Sequence, residues 1–251
     1  MAFKIDKNVY LLYKEVRNIK MPEKIIGILG GMGPEATVDL FYKIIKFTPT
    51  EKDQDHLRII INNNPKIPDR TAAILRKGES SLPALQETAK NLEKSGADFI
   101  IIPCNTAHYF LPSIQESVNI PILDMIRETA RETQQIISRI KKVGLLASIG
   151  TYKAEIYHQQ FDKLNMEVIS PEKKNKEEIM KIIYAVKAGN LSNEVKGNIL
   201  KIAQKLIDKG VGAIIAGCTE IPLILKKGDV PVPIIDPTQI LAKAAVHKAR
   251  L

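Results

Sequence analysis

Gly96-Ala97-Asp98-Phe99-Ile100-Ile101-Ile102-Pro103-Cys104 and Gly210-Val211-Gly212-Ala213-Ile214-Ile215-Ala216-Gly217-Cys218 read as one segment written twice. They align without a gap, each pair of positions 114 apart. Each carries a short apolar run with the length of a buried strand and ends in a thiol. A threonine follows closely in both, Thr106 in the first and Thr219 in the second. The chain has only these two cysteines. Paired thiols on a duplicated scaffold suit a reaction that must treat a left hand and a right hand alike.

Working outward, the duplication extends in both directions. Val143-Gly144-Leu145-Leu146-Ala147-Ser148-Ile149-Gly150-Thr151 echoes Ile26-Gly27-Ile28-Leu29-Gly30-Gly31-Met32-Gly33-Pro34 at an offset of 117, and Pro233-Ile234-Ile235-Asp236 echoes Pro121-Ile122-Leu123-Asp124. Between the echoes, apolar strands alternate with amphipathic stretches, the signature of an α/β protein with mainly parallel sheets. Strands are expected at 24–29, 57–62, 99–103, 121–123, 166–169 and 213–216. A helix beginning after Pro34 should place Ala36, Leu40, Phe41, Ile44 and Ile45 on one face. Further helices are expected at 83–94, 176–187 and 194–209, closed by Gly96, Gly189-Asn190 and Gly210. The reading is two pseudo-symmetric α/β domains, each a mainly parallel sheet flanked by helices. The first takes 24–127, with 234–251 returning to it, and the second takes 128–233. Residues 1–23 form an extension in which Val9, Leu12, Tyr13, Val16 and Ile19 have helical spacing.

Composition narrows the function classes. At 45% hydrophobic and 26% charged, the chain has an ordinary globular balance. No apolar run has the length to span a bilayer, and the start lacks the apolar core of a secretory signal, so the expected address is cytoplasmic. Two unclustered cysteines argue against a disulfide framework, and four scattered histidines do not make a metal site. The net charge of +9 comes from lysines interspersed with acids, without the basic-aromatic alternation that stacks bases. No nucleic-acid or membrane partner is expected. A basic surface of this kind attracts small anions. The glycine loop Gly27-x-x-Gly30-Gly31-x-Gly33 follows a strand, but matches neither the dinucleotide fingerprint nor a Walker loop.

Both thiols fall at the carboxyl end of a parallel strand, where ligands of open α/β sheets collect. There the backbone N–H groups of the following helix receive anions and favour a thiolate. A substrate carboxylate held by those groups, with Asn105, Thr106 and Thr219 as further donors, would set its α-carbon between the two sulfurs.

Four motifs carry a family resemblance: Gly30-Gly31-Met32-Gly33-Pro34-Glu35-Ala36-Thr37, Asn63-Asn64-Pro65-Lys66-Ile67-Pro68-Asp69-Arg70-Thr71, Pro103-Cys104-Asn105-Thr106-Ala107-His108 and Gly217-Cys218-Thr219-Glu220-Ile221-Pro222. Together they resemble the aspartate/glutamate racemase superfamily, and within it the aspartate racemase branch, from Lys24 to the C-terminus. The resemblance implies a racemase without cofactor, a site in the cleft between the two domains, a small acidic amino-acid substrate and a homodimer. It assigns Cys104 and Cys218 as the two proton-transferring groups, one thiolate and one thiol, exchanging roles with direction. It implies that Arg70 meets the side-chain carboxylate, with Lys187 as a second cation. Met32, Asn62, Asn63, Asn105, Thr106, Thr219 and Glu220 complete the candidate substrate-binding set.

Glu220 stands where the glutamate racemase branch has a histidine, which weakens that branch's claim. It either tunes Cys218, binds the α-ammonium or complements a helix N-terminus. His108 is expected to pack beside the site rather than act as a base. Glutamate or broader acidic amino-acid racemisation, maleate cis-trans isomerisation and non-catalytic binding of an acidic metabolite remain as alternatives.

Overall fold

Ile26–Gly30 forms β1, the middle strand of the first sheet, and every residue in it is buried. In the computed structural model, which describes residues 23–136 and 141–251, the sheet runs β2-β1-β3 and all pairings are parallel. Here β2 is Ile59–Asn63 and β3 is Phe99–Ile101. A second sheet runs β5-β4-β6-β7, also parallel throughout. It is built from Lys142–Ala147 (β4), Glu167–Ile169 (β5), Ile214–Gly217 (β6) and Ile234–Ile235 (β7). Both sheets place their first strand between their second and third. The expected strand at 121–123 reduces to one parallel bridge, Ile100 with Ile122, at the place that β7 occupies in the second sheet. The leading helix expected at 1–20 lies outside the described residues.

Eleven helices are assigned among the described residues. In the first half these are α1 (Pro34–Phe47), α2 (Arg70–Ile74), α3 (Leu82–Lys94), α4 (Leu111–Gln115) and α5 (Met125–Ile136). The second half holds α6 (Ile149–Ala154), α7 (Ile156–Asp162), α8 (Lys173–Lys187), α9 (Asn193–Ile207) and α10 (Ile221–Ile224). Pro237–Ala249 is α11. Chain order explains the site. From β1 the chain goes to β2 on one side and then to β3 on the other, and β4, β5 and β6 repeat the move. The reversal opens a crevice at the carboxyl ends of the central strands.

Strand alternation divides the core. Ile26 and Ile28 of β1 and Phe99 and Ile101 of β3 point to one face, where they share a buried cluster with Val143, Leu145, Ala213 and Ile215 of the second sheet. Leu29, Ile100 and Ile102 point the other way, onto α3 and its surroundings. Leu146, Ile214 and Ala216 likewise meet α8 and α9. The two sheets therefore have separate outer layers and one common inner layer. Leu241, Ala242 and Ala245 of α11 belong to that common layer, and α11 packs against α1, α5 and β6. Lys43 on α1 bonds Asp236 at 2.7 Å, and Asp236 caps α11 through the N–H groups of Thr238 and Gln239.

The helix after Pro34 forms as expected, with one exchange of face. Phe41 is exposed and Thr37 is buried in its place. The Thr37 hydroxyl accepts from the N–H of Gly31 at 2.9 Å and donates to the Gly33 carbonyl at 3.2 Å, so a polar group satisfies the loop. Gly31 has a φ of +97°, and a Cβ there would lie 2.3 Å from the Asn64 backbone. Only glycine fits this position.

Candidate active site

The two thiols meet in one cleft. Cys104 follows β3 and leads into a 3-10 turn at Thr106–Phe110. Cys218 follows β6 and leads into α10. Both are free and buried, and both line the cleft with Met32, Arg70, Asn105, Thr106, Lys187, Thr219 and Glu220. These are nine of the eleven residues singled out from sequence. Asn62 and Asn63 are not brought in. They end the edge strand β2, which β1 separates from β3 and Cys104. Their neighbour Asn64 is committed to local structure, donating to Thr88 and accepting from the N–H of Lys66.

Arg70 opens α2, whose N-cap is Asp69 accepting from the N–H of Ala72 at 2.7 Å. Loop carbonyls, rather than Asp69, hold the Arg70 side chain. Its Nη1 donates to the carbonyls of Ile67 (3.0 Å) and Pro68 (2.9 Å), while its Nε is buried without a partner among the described residues. Two carbonyls fix the guanidinium plane, and the group keeps donor capacity for a carboxylate.

Asn105 is only 2% exposed, its Oδ1 receives the Tyr157 hydroxyl, and its Nδ2 has no partner among the described residues. A buried donor without a partner is costly, and in a cleft it marks a place for an acceptor. Thr106 joins Ser148 (2.9 Å) and Thr151 (3.0 Å), which are themselves 3.1 Å apart. This triangle of hydroxyls stitches the loop after β3 to the loop after β4. Gly150 allows the approach, since a Cβ there would come within 2.8 Å of Thr71 Oγ1 and 2.9 Å of Thr106 Cγ2.

Glu220 is the electrostatic centre on the Cys218 side. The thiol of Cys218 donates to Oε2 at 2.8 Å, the Thr219 hydroxyl donates to the same oxygen at 3.2 Å, and Lys187 Nζ lies 3.9 Å from Oε1. Burial pushes the Cys218 thiol well above its ordinary range, the Glu220 carboxylate adds to that, and Lys187 works against it. Burial of Lys187 favours its neutral form, but the charges of Glu220, Cys218 and Cys104 outweigh this and raise it. Lys187 thus stays an ammonium.

His108 does not face this cleft. Its Nδ1 pairs with the Cys104 carbonyl (2.9 Å), and its Nε2 accepts from the N–H of Met125 (3.2 Å). That pattern belongs to the neutral ring protonated at Nδ1, and burial lowers its pKa. It is a brace between the cysteine loop and α5.

Asp69, Thr71, Ser148, Met180, Ile183 and Tyr184 also line the cleft and were not singled out from sequence. Two signals were present. The offset of 117 makes Ser148 the counterpart of Gly31. Met180, Ile183 and Tyr184 precede Lys187 by seven, four and three positions, one helical face. Among the described residues, no group of three or more His, Cys, Asp or Glu side chains is placed to hold a metal ion, and no helix is long and apolar enough to cross a membrane.

Two parallel sheets with a thiol at the equivalent strand end of each define an α/β protein with a paired-cysteine site. The profile of the Asp/Glu/hydantoin racemase family matches residues 29–245, and the chain belongs to that family of racemases. It is 35% identical to the aspartate racemase of Picrophilus torridus, with a TM-score of 0.76 over 90% of this chain and 94% of that one. An aspartate racemase homologue from Pyrococcus horikoshii OT3 is 30% identical, with a TM-score of 0.73 over 90% and 99% of the two chains. A broad specificity amino-acid racemase of Bacillus subtilis is 29% identical over 88% of this chain and 96% of its own.

Proposed function

We propose that the protein interconverts L- and D-aspartate by two-base proton transfer at the α-carbon, with Cys104 and Cys218 on opposite faces. The observation that carries this reading is the pairing of two buried thiols, from equivalent strand ends, in one cleft. One thiolate removes the α-proton while the other thiol delivers a proton from the far side. The intermediate carries negative charge that spreads into the α-carboxylate, so its stabilisation falls to fixed donors there. Asn105 Nδ2, a buried donor without a partner among the described residues, supplies that chemistry. The side-chain carboxylate pairs with the unused donors of Arg70. The likeness to the aspartate racemase of Picrophilus torridus supports the same substrate.

The test is proton NMR of L-aspartate with the reduced protein in D₂O, without added cofactor, followed by chiral analysis. Loss of the α-proton signal with appearance of D-aspartate is expected. Cys104→Ser and Cys218→Ser should each lower kcat/KM by roughly 10²- to 10⁴-fold, the usual weight of a positioned acid or base. Folded protein with free thiols that gives neither exchange nor D-aspartate overturns the aspartate assignment. A broader acidic amino-acid racemase is a second reading, favoured by the Bacillus subtilis relative. Glutamate in the same assay, turned over at a rate comparable with aspartate, would establish it.

A further inference from the structure

The duplication that makes the two thiols equivalent does not extend to their neighbours. The counterpart of Glu220 at the offset of 114 is Thr106, whose hydroxyl is held by Ser148 and Thr151. Among the described residues only Cys218 has a carboxylate within hydrogen-bonding distance of its sulfur, Glu220 at 2.8 Å. That carboxylate is 5% exposed and lies between the thiol on one oxygen and the Lys187 ammonium on the other. A buried thiol faces an obstacle, because ionising it by losing a proton to water creates a new charge in a poorly solvated place.

We propose that Glu220 is the immediate proton acceptor for Cys218, acting through the sulfur rather than on the substrate. This deepens the racemase reading and rests on it. The S–H bond of Cys218 breaks, its electron pair stays on sulfur, and the proton forms an O–H bond with Glu220 Oε2. A neutral thiol and a carboxylate become a thiolate and a carboxylic acid. The pair holds one negative charge before and after, and Lys187 faces it throughout, so no additional charge is buried. The thiolate then takes the substrate α-proton, whose bonding electrons remain on carbon, and the Cys104 thiol protonates the opposite face. Exchange with water returns Glu220 to carboxylate and Cys104 to thiol.

The two thiols are therefore chemically distinct. Cys218 carries its own proton store, whereas Cys104 does not. The titratable groups around Cys218 and Glu220 are Lys187 and Tyr184 from α8, Asp69 and Arg70 at α2, Cys104 after β3, Tyr152 from α6 and Tyr157 from α7. Of these, Lys187 alone makes an ion pair with Glu220.

Two readouts separate this role from simple repulsion of the thiolate. The first is kcat/KM for aspartate against pH in the wild type, Glu220→Gln and Glu220→Asp. The second is the rate at which iodoacetamide alkylates Cys218 in a Cys104→Ser background, with and without Glu220→Gln. Removing the acceptor should make Cys218 alkylate more slowly at neutral pH, since the thiolate is the reacting form, and kcat/KM should fall about 100-fold or more. Glu220→Asp should recover at least a tenth of wild-type activity, because it keeps an acceptor. A Glu220→Gln enzyme as active as the wild type, or faster, overturns the proposal, since that is what repulsion alone predicts. An unchanged or faster alkylation rate overturns it as well. A wild type that racemises and exchanges no acidic amino acid would instead sink the racemase reading, and the alkylation comparison would still decide whether thiol and carboxylate are coupled.

Discussion

A histidine four residues after a cysteine that lines the cleft invites a role in proton transfer, but His108 is turned away from that cleft. Both ring nitrogens are spent, one on the Cys104 carbonyl and one on the Met125 N–H. Its folded-state pKa lies below the ordinary 6.5, with burial as the first cause. The unfolded chain therefore binds a proton more readily than the folded one as pH falls below about 6.5. The stability that His108 contributes is full above that value and is lost as the pH drops through the folded pKa. Urea unfolding at pH 7 and pH 5.5 should show the wild type losing more stability than His108→Gln. Glutamine keeps one donor and one acceptor but does not titrate. Equal losses in the two proteins would remove His108 from the pH dependence. Cys104 and Cys218 were legible in the sequence because repetition marks them, and Arg70 because its motif does. The partner of Cys218 was not. Glu220 could be seen as a neighbour, but its orientation toward sulfur depends on how Cys218, Thr219 and Lys187 converge.

At the scale of elements, strands were easier to read than short helices. β1, β3, β4 and β6 are continuous apolar runs, as expected when both faces of a parallel sheet are covered. The boundaries expected for β1, β3 and β6 moved by only a residue or two. The helices α2, α6 and α7 have five, six and seven residues, too few to complete an amphipathic repeat, and so escaped periodicity. Two of them are set by caps instead, Asp69 for α2 and Ser148 for α6. These same short helices bring the halves of the site together, since α2 and α6 pack directly against each other. Gly150→Ala tests that contact. Its methyl group would meet Thr71 and Thr106 within 3 Å, and overpacking of this kind costs about 1–3 kcal/mol. Urea denaturation should register the loss, with racemisation reduced as the hydroxyl triangle opens. A variant of wild-type stability would mean that α2 and α6 separate without cost.

The whole molecule is less divisible than its repeated sequence suggests. Two similar sheets were expected, and two are present, but their inner faces share one buried cluster that α11 helps to fill. Nothing in the period of the pattern distinguishes a residue facing its own domain's core from one facing the neighbouring sheet, so the shared layer could not be read in advance. Asp236 is where this arrangement can be probed. It caps α11 and bonds Lys43 of α1, so Asp236→Ala removes two roles at once. A loss of about 1–2 kcal/mol is expected, the upper range for an N-cap, read as a lower midpoint in thermal or urea unfolding. An unchanged midpoint would show that α11 is held by its apolar face alone.

The return of α11 also has a consequence for synthesis. Lys24, just before β1, donates its N–H to the carbonyl of Ala249 at 2.9 Å, so the chain leading into β1 is tied to the end of the last helix. A nascent chain emerging from the ribosome exposes β1, β2 and β3 long before all the residues that cover them have been translated. Each sheet can gather its outer helices as they emerge, α3 for the first and α8 and α9 for the second, but the inner face of the first must wait with apolar surface uncovered until the second sheet and α11 have been made. Assembly on the ribosome thus runs against the order of translation: what is made first is finished last.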